Sequence, residues 1–487
     1  MSETLVDRDI VAALEPFAEL PEWLAVVMAP GRVADALRRE IPELARPGVE
    51  LTGAEVDRLR AKGAEWLVHC RVALVEDGRP RDVVLVGRLL PPGTPPPAPQ
   101  CPDTPFGQPG WHHYLADLRL LLEVEEADPG LPALPSLVDA GRAAEVLQQG
   151  LRAAGHDVEV TGCVPDVVRY KPGSRCTIVY RMRYRDGAPG PDPLVAKTHQ
   201  GDKGATAWDA MRALWESPVA TDGTVTLAEP IAYLPEERVL VQGPVPEERT
   251  LKDLARDALI QAVGGGRTDA IDELREMLDR TAVALAALHG SGARYGREAT
   301  WDEELAEVRG VVARLAVSVP PIGTAADPLL RRLEELHAAA PADHLVSAHH
   351  DFRPAQVLLH DGRIGFIDFD GACRAEPALD LGRFRAKLRD IGISAFPLSS
   401  ADGAGDGALD GYLALLDELC DDFLAAYLRR APVTAERVVL WETTDLLTAL
   451  LHAWTKVRTA RVTPRLTLLR HAARSHAEWA PKGSALA

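Results

Sequence analysis

Between residues 66 and 90 the chain reads WLVHCRVALVEDGRPRDVVLVGRLL, two apolar-rich stretches that meet at Glu76-Asp77-Gly78. Strand-forming side chains on both sides of an Asp-Gly pair predict a hairpin, because that pair tolerates the positive φ angles of a tight turn. A similar outline recurs in CTIVYRMRYRDGAPGPDPLVAKT, with Asp186-Gly187 at the turn; turn chemistry alone accounts for the likeness. Further strands are predicted over 167–170, 176–184, 194–198 and 238–242. Helical spacing begins after Gly204, where Trp208, Met211 and Trp215 share a face. It dominates afterwards: 270–289 carries Leu274, Leu278, Leu285 and Leu288 on one stripe and stops at Gly290. A short helix is expected over 33–40. Later helices are expected over 421–428 and from a Thr434 cap to about residue 458. Strands giving way to long helices imply an α+β chain of two lobes, one small and β-rich, one larger and helical, behind an N-terminal accessory segment.

Residues 91–110 hold nine prolines in twenty positions, which removes both helix continuity and ladder donors and reads as a linker or long loop. The expected divisions are therefore an accessory or cap segment 1–90, the linker 91–110, a connecting segment 111–159, a small lobe 160–243 and a helical lobe 244–487. At 487 residues the chain is long enough for several cores. The net charge of −18 argues against a protein built to hold nucleic acid, which relies on cationic contacts to phosphates. No signal-like N-terminus or long apolar run is present, so a soluble cytoplasmic protein is expected, with no membrane partner. The six cysteines form no C-x-x-C pair and read as reduced thiols. His112-His113 and His349-His350 make poor chelates, since neighbours in an extended chain point apart.

The chemistry concentrates in 348–383, AHHDFRPAQVLLHDGRIGFIDFDGACRAEPALDLGR. Asp351 stands in a loop broken by Pro354, and Gln356 follows five residues later. VLLH and RIGFID flank Asp361-Gly362, so a second hairpin returns Asp368 toward Asp351. Two carboxylates brought together with an amide between them suit magnesium-dependent phosphoryl transfer, one acid deprotonating a hydroxyl while the other holds the metal. A plain acidic surface hairpin fits the spacing equally well.

HHDFRPAQ, IDF and EPALD resemble the H-G-D-x-x-x-x-N, I-D-[WF] and D-P-x-x-D motifs of the aminoglycoside phosphotransferase and choline kinase-like family of small-molecule kinases. That resemblance implies a protein-kinase-like fold. It also implies Asp351 as catalytic base, His349 as brace of the catalytic loop, Gln356 and Asp368 as magnesium ligands, and Asp380 as the acid that fastens the loop. Gln356 stands where most relatives have Asn; the resemblance to maltokinase-like members, which use Gln there, implies a variant ligand and not an inactivation. His350 replaces a Gly, which is harmless if the backbone there needs no positive φ. Asp370 competes with Asp368 as metal ligand.

Upstream, the same resemblance assigns Lys197 of LVAKT to the nucleotide phosphates; its usual partner is an acid on the next helix, where Asp209 and Glu216 are nearest. KPGSRC, 171–176, would cover the nucleotide through Gly173, Ser174 and Arg175. LVQGP, 240–244, would link the lobes and pair with adenine around Gln242. His289 reads as a packed or capping histidine.

For the acceptor, residues 402–422 hold seven acids and no base, either a cation-attracting surface or a solvated face. Trp441, Glu442, Asp445 and Trp454 form a second candidate group. The expected activity is transfer of phosphate from ATP or GTP, with Mg2+, to a hydroxyl of a sugar, amino sugar, aminoglycoside or amino alcohol. The alternative is a catalytically inactive nucleotide-binding regulatory module of the same fold. A protein kinase is disfavoured because no A-P-E sequence follows Asp368. Oligomeric state is left open.

Overall fold

The computed structural model describes residues 10–62, 65–97, 104–125, 128, 130–263, 269–398 and 406–477. The chain divides into two compact units: one of residues 1–127, 305–335 and 446–487, the other of 128–304 and 336–445.

The first unit is built on an antiparallel sheet in the order β1-β2-β3-β5-β4. Its strands are β1 (Val49–Lys62), β2 (Glu65–Glu76), β3 (Arg79–Leu89), β4 (His112–Leu115) and β5 (Leu120–Val124). In β2 every second residue, Trp66, Val68, Cys70, Val72 and Leu74, is buried, as the two-residue period of a strand requires. The β2–β3 hairpin forms as expected, with φ 49° at Asp77 and 78° at Gly78. β1 escaped the sequence reading because bulges at Leu51/Gly53 and Val56/Arg58 break its alternation. The helix expected at 33–40 spans Arg32–Glu40, buries Val33, Ala36 and Leu37, and packs on β1. The described parts of 91–110 contain no helix or strand. Phe106 anchors that loop, its ring 4.8 Å from that of the buried Trp111.

The second unit has an α+β arrangement of two lobes. Its small lobe is an antiparallel sheet ordered β10-β11-β8-β7-β6, from β6 (Val160–Lys171), β7 (Arg175–Tyr184), β8 (Leu194–His199), β10 (Pro230–Leu234) and β11 (Val239–Gln242). The helix Ala140–Ala153, capped by Asp139, covers one side of this sheet through Leu147 and Leu151. Nothing in the sequence reading marked that helix. The helix Lys203–Trp215 packs on β8, β10 and β11 and also on the turn Phe369–Gly371.

After Gln242 the chain becomes mainly helical. Leu251–Ala262, Asp269–His289, Pro377–Ala395 and Asp406–Leu428 pack on one another. Pro377–Ala395 approaches Ala435–Thr455 so closely at Gly382 that a Cβ there would lie 2.6 Å from the Glu442 nitrogen, which only glycine permits. Short strands are set among these helices: β9 (Thr226–Leu227), β12 (Arg249–Thr250), β13 (Val346–Ala348), β14 (Val357–His360), β15 (Arg363–Phe366) and β16 (Cys373–Ala375). The β14–β15 hairpin turns at Asp361-Gly362, with φ 48° and 69°. Among the described residues no helix is long and apolar enough to cross a membrane.

Candidate active site

β13 delivers the chain to residues 349–353, the turn Pro354–Gln356 follows, and the β14–β15 hairpin returns it. The Ile367 N–H then donates to the Gln356 carbonyl over 3.1 Å, which sets Asp368 beside Gln356. The Gln356 Nε2 lies 3.3 Å from Asp368 Oδ2 and 3.5 Å from Asp351 Oδ2. Three residues separated in sequence thus converge on one point, with two carboxylate oxygens turned toward a single donor. Oxygen donors of this kind suit Mg2+. The amide oxygen, however, faces away from the acids and accepts from Arg353 Nε at 2.7 Å.

A second cluster adjoins the first. In β8, Lys197 and His199 are two residues apart and share a face, and Arg175 in β7 lies opposite His199. Lys197 Nζ donates to Asp368 Oδ1 at 2.8 Å and to Asp370 Oδ1 at 3.2 Å. Arg175 Nη1 and His199 Nε2 both lie 2.9 Å from Asp370 Oδ2. Burial would raise the Asp368 and Asp370 carboxyls, but Lys197 and its basic neighbours hold both below the ordinary carboxylate range, Asp370 further. Burial would likewise lower the Lys197 ammonium, and the two acids raise it. Neither Asp209 nor Glu216 is an ion-pair partner of Lys197; Glu216 pairs with Arg212 instead. His199 was not singled out in the sequence. Its spacing of two from Lys197 was the available signal.

Asp380 fastens the loop from below. It accepts the backbone N–H of His349 at 2.7 Å and of His350 at 2.8 Å, and its Oδ2 is 3.1 Å from His289 Nε2. His289 is buried and its Nδ1 meets the Tyr427 hydroxyl at 2.8 Å, a packed histidine. Burial would raise Asp380, but the bond with His289 and its charge keep it low. His349 is fully buried, with Nε2 2.9 Å from the Ile367 carbonyl and its ring 4.7 Å from Phe369. Phe352 stacks on Phe384 and Phe384 on Phe423, at 5.3 and 4.2 Å. His350 departs from the condition set for it: its φ is 71°, so the position does take the left-handed conformation that glycine accommodates freely. Asp368, with φ 75°, does the same.

The turn 171–176, expected to cover the nucleotide, is closed on itself and on Asp128. Gly173 has φ 64°, and its N–H is engaged at 2.8 Å by Asp128 Oδ2, which also accepts from the Tyr170 hydroxyl at 2.9 Å. Ser174 donates its N–H to Lys171 and accepts from Gln200 N, at 3.0 and 2.8 Å. Only Arg175 of this trio reaches the acids. Gln242 is buried at the end of β11, opposite Val195 of β8 and Pro230 of β10, and the following Gly243 N–H goes to the Glu229 carbonyl at 2.8 Å.

The two candidate acceptor groups are bound up in internal pairs. Glu442 is held by Arg385 and Arg389, and Asp445 by Arg383 and Lys387. The Trp441 indole donates to Glu376 Oε1 at 2.6 Å, and the Trp454 indole to the Phe17 carbonyl. Within 402–422, residues 402–405 lie outside the described ones. Asp417 pairs with Arg389, Asp421 with Arg385, and Glu418 and Asp422 both with Arg275. Of the two readings given for this stretch, a cation-attracting surface or a solvated face, the pairing of these four acids with arginines favours the second.

Residues 243–419 match the model of the phosphotransferase enzyme family (APH), which spans the Asp351–Gln356–Asp368 convergence and the Asp380 brace. No curated protein matches the sequence. Among solved structures, a glucosamine kinase is 16% identical with a TM-score of 0.45, covering 92% of this chain and 98% of its own. A choline kinase from Streptococcus pneumoniae is 13% identical with a TM-score of 0.41, covering 68% and 98%. An aminoglycoside phosphotransferase in complex with streptomycin and ATP is 11% identical with a TM-score of 0.41, covering 67% and 96%.

Proposed function

We propose that this protein is a small-molecule kinase that moves the terminal phosphate of ATP to a hydroxyl of a sugar, amino sugar, aminoglycoside or amino alcohol. The observation that carries the reading is the convergence of Asp351, Gln356 and Asp368, with Lys197 on Asp368. Asp351 would accept the proton of the attacking hydroxyl as the new oxygen–phosphorus bond forms and the bridging bond to ADP breaks. Lys197 would hold the nucleotide phosphates, and Arg175 stands close enough to share that charge. Asp368 and the Gln356 amide would hold Mg2+, which when bound neutralises the phosphate oxygens. His349 and Asp380 would act on position only, keeping the backbone around Asp351 in place.

The test is purified protein with ATP and Mg2+ against a panel of sugars, aminoglycosides and amino alcohols, read by mass spectrometry for a product heavier by one phosphate. Asp351→Ala and Asp368→Ala should abolish that product while leaving the fold intact. A second reading has its own support. The Gln356 oxygen is engaged by Arg353, and the Gly173 N–H by Asp128, so both groups would have to change partners for catalysis. A protein that binds ATP but phosphorylates nothing on the panel is the regulatory module of that second reading.

A further inference from the structure

A buried ammonium needs a counter-charge, because burial without one drives it to the neutral form. Lys197 is nearly inaccessible, and the helix that follows it, Lys203–Trp215, supplies none. Asp209, the one acid within that helix, makes no ion pair with Lys197, and Glu216 at its C-terminal end is engaged by Arg212. The lysine is balanced from the other lobe instead, by Asp368 and Asp370. The two acids are not equivalent. Asp368 offers Lys197 one oxygen and turns the other toward Gln356. Asp370 uses both of its oxygens on the basic face of β7 and β8: Oδ1 on Lys197, Oδ2 on His199 and Arg175.

We infer that Asp370 is the positioning residue for Lys197, binding the three basic side chains of the small lobe into one unit and keeping the lysine in place when Asp368 is committed to a cation. The inference rests on the kinase reading above. If Asp368 were the sole partner, Lys197 and a metal would compete for the same carboxylate, and gaining one would loosen the other. With Asp370 present, Lys197 retains an ion pair whatever Asp368 does. Arg175, 3.8 Å from Asp368 but 2.9 Å from Asp370, is anchored on the same side of that division. His199 is fixed through its Nε2 by the same oxygen, which joins β8 to the turn Phe369–Gly371. The helix Lys203–Trp215 packs on that turn but supplies neither of the lysine's charge partners.

The experiment is a double-mutant cycle on full-length protein, read as displacement of a fluorescent ATP analogue in the presence of Mg2+. Asp370→Asn should weaken nucleotide binding by about tenfold in the parent protein and by less than about twofold in a Lys197→Met background, the non-additivity of a pair that acts as a unit. Asp209→Asn and Glu216→Gln should leave affinity unchanged. A tenfold loss from Asp370→Asn that persists in Lys197→Met would overturn the inference, since Asp370 would then act through Arg175 or as a direct ligand of metal or nucleotide and not through the lysine. A loss from Asp209→Asn or Glu216→Gln equal to that from Asp370→Asn would overturn it too, since the helix acids would then hold the lysine. If Asp370→Asn does not fold, Asp370→Glu replaces it in the same cycle; it keeps the charge, displaces the carboxylate, and should show the same dependence on Lys197. Failure of the parent protein to bind the nucleotide would instead remove the kinase reading, and this inference with it.

Discussion

Arg353 donates its Nε–H to Gln356 Oε1 over 2.7 Å, and its Nη2 stands 3.0 Å from Asp351 Oδ2. One guanidinium therefore both orients the amide and places a positive charge at the acid proposed as base. With the oxygen turned to Arg353, the amide presents its NH2 to Asp351 and Asp368, the wrong end for a cation.

Metal binding should therefore be limited by Arg353. Replacing it by Met frees the amide to reverse and removes a nearby positive charge, and both effects favour a divalent cation. The expected result for Arg353→Met is a lower Mg2+ concentration at half-saturation in a metal titration of nucleotide binding. Gln356→Leu should shift that midpoint upward. Midpoints that stay put in both variants would exclude Gln356 as a ligand.

Asp351 is expected to act on the chemical step and not on nucleotide binding. Asp351→Asn keeps the side chain's size and removes its basicity, so kcat should fall by about 10²- to 10⁴-fold, while the KM for ATP changes by no more than about twofold. Steady-state kinetics on whichever acceptor proves active would decide this. A fall in kcat/KM for ATP carried mainly by KM would mean that Asp351 binds and does not catalyse.

Asp380 is expected to matter for stability. It is fully buried and accepts from two backbone N–H groups and His289, so removing its charge leaves those donors unmatched. Asp380→Ala should cost on the order of 3–5 kcal/mol, measured by denaturant unfolding. Glu442→Ala should cost less, since Arg385 keeps Asp421 and Arg389 keeps Asp417 when Glu442 is lost, and should leave the choice of acceptor unaltered. A change of acceptor preference without loss of stability would restore Glu442 as a recognition residue.

His350 makes the protein sensitive to acid. Burial first, then Arg383 and Arg297, lowers its imidazole to about 3, against the opposing pull of Asp380; His349 adds to the lowering. In the unfolded chain it titrates near its ordinary value of about 6.5. The stabilisation from keeping it neutral is therefore complete above about pH 6.5 and is lost as pH falls from there toward 3, with a slope of about 1.4 kcal/mol per pH unit for one proton. His350→Gly, which also suits the φ of 71°, should reduce the slope of unfolding free energy against pH by one proton over that window. Parallel curves for the two proteins would show that His350 is already accessible to protons in the folded state.

Local structure was largely legible in the residues. Asp77-Gly78, Asp186-Gly187 and Asp361-Gly362 all take positive φ at both positions, because short polar and glycine residues tolerate that conformation wherever they stand. β2 and the helix Asp269–His289 follow their apolar periods. The spacing of Asp351, Gln356 and Asp368 around a hairpin was enough to expect their convergence, since a two-strand return needs only its turn and its register. β1 was hidden by its bulges, and the helix Ala140–Ala153 lay in a segment read as a connector.

The choice of partner was beyond the sequence, because charge pairing depends on which buried groups come within about 4 Å and not on their order along the chain. Lys197 could have met Asp209 or Glu216 and instead meets Asp368 and Asp370, more than 170 positions away. Glu442 and Asp445 carry the residue types of a recognition site, yet burial beside Arg383, Arg385, Lys387 and Arg389 turns them into internal counter-charges. The sequence by itself determined the three Asp-Gly turns, strands such as β2, the helix Asp269–His289, and which acids the β14–β15 hairpin gathers, since those are set by local backbone preference and short-range register. Tertiary packing alone decided which charges neutralise one another and which way the Gln356 amide faces, because desolvation makes every buried charge take the nearest partner the fold supplies.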